Sequence, residues 1–349
     1  MTIPAQPGTI DDVADPRASV VDEWFPVAST ADLRSGGTLP FRLLDGRYLL
    51  LASSDGAVTA FADTCLHRGA QLSLGTFDGE HLVCPYHGWV FTADGSCVAR
   101  PAQPQQTVPS SCKLRPLHVQ SAYGMWWVCL GDSPRNIPSF PGWETRAQEV
   151  PTFGPKVLFT SGPRIVENFL DIAHFPFVHA DYLGAVPNTE VRDCEIVHTD
   201  GGVEARDVVF WQPRPGPRST QGGDVRYGYR VDHPYAASLW KLPSDVDGGA
   251  LAGFALLIAA SPMSETECRV WMMTAVNDPQ ADGDNFNEFN GTIFGQDMAV
   301  VQSQEPKCLP LGPRAEMHQR ADRMSVAYRR WLMERGTAYG TIRTTTEEP

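Results

Sequence analysis

Short apolar runs broken by Asp-Gly pairs dominate the first third of the chain. Phe41–Leu44 and Tyr48–Leu51 flank Asp45-Gly46, and Asp55-Gly56, Asp78-Gly79 and Asp94-Gly95 punctuate the runs that follow. Asp-Gly supplies the backbone freedom a tight turn needs, so Trp24 to about residue 130 predicts short strands joined by turns, Met125–Leu130 among them. Pro134, Pro138, Pro141, Pro151 and Pro155 then exclude regular helix and predict a connector. Beyond it the pattern changes. A short helix is expected over 164–175, strands near 195–210, 225–240, 251–261 and 268–277, and helices over 285–303 and 314–335. In the last, Met317, Ala321, Met324, Tyr328 and Trp331 recur at steps of four and three, one buried stripe. Arg329, Arg330 and Arg335 suit its C-terminal dipole and Gly336 can end it. Strands followed by packed helices predict an α+β protein. The expected division is a flexible segment 1–22, a β-domain 23–135, a connector 136–155 and a second domain 156–340. Pro-rich Gln212–Pro217 reads as a loop.

Composition narrows the classes. The 349 residues are 42% hydrophobic and 20% charged, ordinary for a soluble globular chain. A net charge of −13 argues against nucleic acid, whose phosphates need basic clusters. Met1-Thr2-Ile3-Pro4-Ala5 shows no signal-peptide pattern, and no apolar run is long enough to span a membrane. The expected compartment is the cytoplasm, with Cys97, Cys112, Cys129, Cys194, Cys268 and Cys308 as free thiols.

Two cysteines remain. Cys65-Leu66-His67 and Cys84-Pro85-Tyr86-His87 place one thiol and one imidazole in each of two loops. Two thiolates on one iron and two imidazoles on the other make a Rieske [2Fe–2S] cluster, whose neutral imidazoles raise its potential. Zinc is the rival, since it also takes two Cys and two His, but zinc fingers pair like with like. Gly69, Pro85 and Gly88 favour tight turns around these residues. The two loops resemble those of the Rieske non-haem iron oxygenases. Respiratory-type Rieske proteins add a cysteine to each loop, and Ala70 and Tyr86 stand at those positions here.

A second set lies downstream. Asn168-Phe169-Leu170-Asp171-Ile172-Ala173-His174-Phe175-Pro176-Phe177-Val178-His179 offers two histidines. Mononuclear iron oxygenases hold Fe(II) with two histidines and one carboxylate, leaving positions open. His174 is expected in the last turn of the short helix, and Pro176, unable to continue it, turns the chain so that His179 approaches the same metal. Asp282, Asp284, Glu288, Asp297 and Glu305 are the carboxylate candidates. Asp297 is favoured because apolar neighbours make an unpaired carboxylate there costly. The segment resembles the family's Asn/Asp-x-x-Asp-x-x-His-x₄-His motif, with Asn168 at its first position. The same resemblance points to Asp297 and implies that Asp171 bridges His174 to His87 of a neighbouring subunit. Asn290, Ile293 and Phe294 share a helical face with Asp297 and are candidate pocket residues. His233 is a candidate substrate partner.

What the resemblance implies is a terminal oxygenase component with an N-terminal all-β Rieske domain and a C-terminal helix-grip-type catalytic domain. It would hold a [2Fe–2S] cluster and a mononuclear non-haem Fe(II), and assemble as a homotrimer. No dinucleotide fingerprint or plant-type ferredoxin spacing is present. Electrons would therefore come from a separate NAD(P)H-dependent reductase, with or without a ferredoxin. The expected reaction is monooxygenation of a small aromatic or heterocyclic compound, by hydroxylation or oxidative O- or N-demethylation, as in the vanillate, dicamba and caffeine demethylase group. The alternatives are arene cis-dihydroxylation, natural-product C–H hydroxylation, and an electron carrier with a catalytically silent second domain.

Overall fold

The computed structural model describes residues 15–215, 221–241, 254–277 and 283–343. Asp282 and part of the Gln212–Pro217 loop lie outside them, as does the start of the lead-in. Residues 15–22 are not the flexible segment expected. Pro16–Ser19 form a 3₁₀ turn capped by Asp15, and Val20 is buried.

Contacts divide the chain into one unit up to Asn136, with Pro262–Ser264, and a second comprising the remainder. In the first, Phe25–Ser29 pairs with Met125–Cys129, which pairs with His118–Ala122. Thr38–Leu43, Gly46–Ala52 and Val58–Ala62 form a second antiparallel sheet, and residues 76–99 a four-stranded one. Each Asp-Gly pair falls where one strand turns into the next. At the first, however, Leu44 and Asp45 carry the positive φ angles of the turn and Gly46 already pairs across it with Leu43. Leu49, Leu51, Phe61, Leu72, Leu82, Phe91 and Leu114 pack into one core that also encloses Cys65 and Cys84.

The second unit is built on an eight-stranded sheet. Its order runs from Gln148–Glu149 through Glu267–Val276, Phe254–Ser264, Ala236–Lys241, Gly223–His233 and Gly202–Gln212 to Glu195–Thr199. The expected 195–210 and 225–240 strands are each a hairpin. The connector is likewise partly sheet, since Phe153–Leu158 pairs with Glu267–Val276 despite Pro155. An edge strand tolerates a missing N–H.

Among the described residues, four α-helices complete this unit: α1 (Gly162–Leu170), α2 (Phe175–Val178), α3 (Gly283–Ser303) and α4 (Arg323–Arg335). Packing of α1 on α4 and α3, and of α4 on Gly202–Gln212, covers sheet residues such as Val208, Phe210 and Val231. A fully buried Leu or Phe contributes about 1.5–3 kcal/mol, so this face is the main source of the unit's stability. α4 begins nine residues later than the apolar stripe suggests. A 3₁₀ turn, Arg320–Asp322, with a reciprocal capping box between Gln319 and Asp322, precedes it, and Met317 is fully exposed. Nor does Arg329 serve the C-terminal dipole. It is buried, pairs with Glu167 and Glu316, and donates to the Pro310 carbonyl at 2.9 Å. Arg164 on α1 joins the same network through Glu316 at 2.8 Å and the Pro306 carbonyl at 3.1 Å. Burial pushes the Glu316 carboxyl up, but the two guanidiniums outweigh it and hold the group below its ordinary value. Breaking one member of such a network strands a buried charge, at about 3–5 kcal/mol. The cluster locks α1, and α1 leads directly into the site.

Candidate functional site: two metal centres

The two cysteine loops of the first unit are built alike. Cys65 N–H donates to the Ala70 carbonyl (2.8 Å) and Gly69 N–H returns to the Cys65 carbonyl (2.9 Å). In the second loop Cys84 donates to Trp89 (2.8 Å) and Gly88 to Cys84 (3.1 Å). Gly69 and Gly88 adopt φ of +71° and +68°, a conformation other residues adopt only with strain. Both thiols are buried at 2% exposure. Burial, with the Cys84 thiol adjacent, pushes Cys65 up to about 11, which disfavours a bare thiolate there. Across the loops the His67 and His87 rings lie 4.5 Å apart, and Trp89 stacks on His67 at 4.7 Å. His67 Nδ1 is buried without a hydrogen-bond partner among the described residues. A cluster accepting two thiolates and two imidazoles satisfies each of these otherwise costly groups.

In the second unit, α1 ends at Leu170 with Asp171 as its C-cap, rather than continuing to 175. Asp171 is extended, and its Oδ1 accepts the Ala173 N–H at 2.7 Å, an Asx turn that replaces the next helical turn. His174 is therefore not in the last turn of a helix. It is the N-cap of α2, and Pro176 opens that helix instead of breaking one, the position where a missing N–H costs nothing. The single turn of α2 carries the chain round to His179. The two Nε2 atoms come to 3.2 Å, and Asp297 Oδ1 on α3 lies 3.2 Å from His179 Nε2 and 3.5 Å from His174 Nε2. These are the three residues placed together as a group able to hold a metal ion, among the described residues. Glu288 is exposed, and Glu305 is exposed and pairs with Lys307.

The outer nitrogens determine what the triangle can do. His179 is buried and its Nδ1–H donates to Gln296 Oε1 at 2.8 Å. His174 Nδ1 faces Asp171 Oδ2 at 3.3 Å. With the proton on His179 Nδ1, the His179 Nε2 lone pair is aimed at His174 Nε2 and at a carboxylate oxygen. That is repulsive unless a cation sits between them. Three donors at roughly 2.1 Å from one ion, separated by roughly 100° at the metal, span edges of this length, which is the facial arrangement of a 2-His-1-carboxylate site. Gln296 was missed in the sequence. The signal was available, because a metal-bound imidazole needs a partner on its other nitrogen and Gln296 stands beside Asp297.

The triangle opens into a cavity of about 100 Å³ with mostly apolar walls. Asn290, Ile293 and Phe294 of α3 line it, as does Asn168. Tyr227 and Tyr229 face it from the sheet. His233 does not belong to this site. It is buried and absent from the cavity wall, and its Nδ1 accepts the Tyr235 N–H at 3.1 Å, fixing the turn between two strands.

Loops suited to a [2Fe–2S] cluster on an all-β unit, and a histidine–carboxylate triangle under an apolar cavity on an α+β unit, define the class of Rieske non-haem iron oxygenases. Residues 23–120 match the Rieske [2Fe-2S] domain, and residues 160–338 match the vanillate O-demethylase oxygenase C-terminal domain. The chain belongs to this family of two-domain Rieske oxygenases. It is 32% identical over 326 residues (93% of this chain, 97% of the other) to a probable methylxanthine N7-demethylase, NdmC, of Pseudomonas sp. (strain TJI-51). The solved structure of Pseudomonas putida CBB5 NdmA with caffeine superposes with a TM-score of 0.79, at 25% identity, covering 96% of this chain and all of that one. A stretch of 115 residues is 33% identical to part of the oxidoreductase NdmD of Pseudomonas putida, covering 33% of this chain and 20% of that protein.

The family's cofactors are the Rieske cluster and a mononuclear non-haem iron. The chain is therefore an oxidoreductase of the Rieske oxygenase type. The electron-carrier alternative is thereby set aside. Among the described residues no helix is long and apolar enough to cross a membrane.

Proposed function

We propose that this chain is a demethylase. It hydroxylates a methyl group on nitrogen or oxygen of a small planar heterocycle or arene. The balance is R–CH₃ + O₂ + 2e⁻ + 2H⁺ → R–CH₂OH + H₂O, with R bonded through N or O. The carbinol then releases formaldehyde and leaves R–H. The observation that carries the reading is the triangle His174, His179 and Asp297 opening into an apolar cavity. Relatives named for methylxanthine demethylation support the same substrate class.

Cys65, Cys84, His67 and His87 would hold the cluster, and His174, His179 and Asp297 the Fe(II). When bound, the cluster delivers single electrons and the ferrous ion activates dioxygen at its open positions. The protein's own residues do the rest. Gln296 holds His179 in the tautomer that presents Nε2, and Asp171, 3.3 Å from His174 Nδ1, would orient the other imidazole. Phe294, Ile293 and Leu256 exclude water and hold the ring flat against the site. Asn168, on the cavity wall, accepts the Asp171 N–H at its carbonyl (3.2 Å) and would steady the motif. Asp171 is about a third exposed at its side chain and keeps acceptor capacity beyond Ala173 and His174. His87 is exposed. These two facts support a head-to-tail homotrimer in which His87 of one subunit donates to Asp171 of the next. A cytoplasmic setting agrees with the eight cysteines, none of them in a disulfide.

The test is substrate-dependent oxygen uptake with stoichiometric formaldehyde, using the iron-loaded chain, a surrogate reductase and NADH. Methylxanthines, other N-methyl heterocycles and methoxybenzoates form the panel. Hydroxylated product without formaldehyde from every N- or O-methyl compound would overturn the proposal.

A further inference from the structure

Two tyrosines two residues apart in Gly223–His233 point to one face of the sheet, and both line the cavity. Their hydroxyls differ. That of Tyr227 accepts a hydrogen bond from Gln212 Nε2 at 2.8 Å. That of Tyr229 is enclosed, with the residue 1% exposed, and has no hydrogen-bond partner among the described residues. Its ring is held by Phe169, edge-on at 6.1 Å, and by Tyr227 at 6.1 Å. A buried hydroxyl without a partner destabilises the fold. Phenylalanine would fill the same space without that cost, so the hydroxyl is explained by something that enters the cavity.

We propose that Tyr229 determines substrate specificity: its O–H donates to a carbonyl oxygen or ring nitrogen of the bound compound. This rests on the demethylase reading and narrows it, from any planar methylated ring to one carrying a hydrogen-bond acceptor. The phenol is fit to donate. Burial, reinforced by the negative charges that Tyr227 and Asp171 would place beside it, holds its pKa well above the ordinary value and keeps it protonated. Leu239, Leu256 and Ile258 on the same cavity wall are apolar and would accept hydrocarbon and heterocycle equally. Beyond the metal triangle, discrimination therefore falls on the unsatisfied Tyr229 hydroxyl, whose loss of a partner penalises ligands without a carbonyl or ring nitrogen.

The experiment is anaerobic binding to the holoenzyme, without reductant, of caffeine, theobromine, N-methyl-2-pyridone, 3-methoxybenzoate, anisole and 1-methylnaphthalene. Wild type binds a carbonyl- or ring-nitrogen-bearing member most tightly. Tyr229→Phe raises that Kd about 10-fold or more and changes the Kd of anisole and 1-methylnaphthalene less than about twofold. Because no bond within the protein is lost, the variant melts at the wild-type temperature or above. An unchanged Kd, tightest binding of a hydrocarbon, no binding by any member, or a lowered melting temperature would each overturn the assignment. Binding is read without oxygen or electrons, so a failure to release formaldehyde in turnover sinks the demethylase reading while leaving this result standing.

Discussion

The two metal regions are assembled by opposite strategies. In the β-unit each pair of ligands sits within one loop, and the two loops repeat the same pair of backbone hydrogen bonds around a positive-φ glycine. Geometry there is nearly all local. In the α+β unit the triangle draws on a segment after α1 and on α3, with His179 and its partner Gln296 separated by 117 positions. Its geometry depends on helices packed against a sheet and on the buried Arg164–Glu316–Arg329–Glu167 network. The first site is set by turns, the second by tertiary packing.

Removing one residue from each region should separate them. Asp297→Ala, the largest expected effect, abolishes turnover and empties the mononuclear site while the visible absorption of the Rieske cluster persists. Loss of both centres together would show that the regions are not independent. Asp171→Asn is next. Iron content stays at the wild-type level, but coupled turnover falls about 10–100-fold, as removal of a carboxylate beside a metal-bound imidazole does. Wild-type rates in that variant would remove Asp171 from the electron path.

His87→Cys probes the local site. Replacing a neutral imidazole by an anionic thiolate lowers the cluster potential by on the order of 100 mV or more, measured by redox titration followed by EPR. An unchanged potential would exclude His87 as a ligand. Gln296→Leu is the mildest. It weakens Fe(II) binding about 10–100-fold, read by competition with a chelator, without altering the Rieske spectrum. Gln296→Glu, which keeps an acceptor toward His179 Nδ1–H, restores most of the affinity.

The same contrast explains what the sequence revealed. Cys65-x-His67 and Cys84-x-x-His87 were legible because their meaning is contained in a few residues. Asp297 was legible because a carboxylate among apolar neighbours must be compensated. The path into the site was not. An Asx turn at Asp171 outcompeted the helix that periodicity carried to residue 175, so Pro176 begins a helix where it was expected to end one. Apolar steps likewise drew the last helix back to 314, although the Gln319–Asp322 capping box marks its true approach. Arg329 looked like a dipole residue because its partners, Glu167 and Glu316, come from elsewhere in the chain. His233 sat near the right strands but turns into a backbone bond. Spacing does not encode which distant groups meet.

The most direct measurement is iron and acid-labile sulfide per chain in protein reconstituted and desalted anaerobically. Two centres of different nuclearity require about three irons and about two sulfides. Zinc without sulfide, or two irons with two sulfides and no further ferrous ion, would contradict the account.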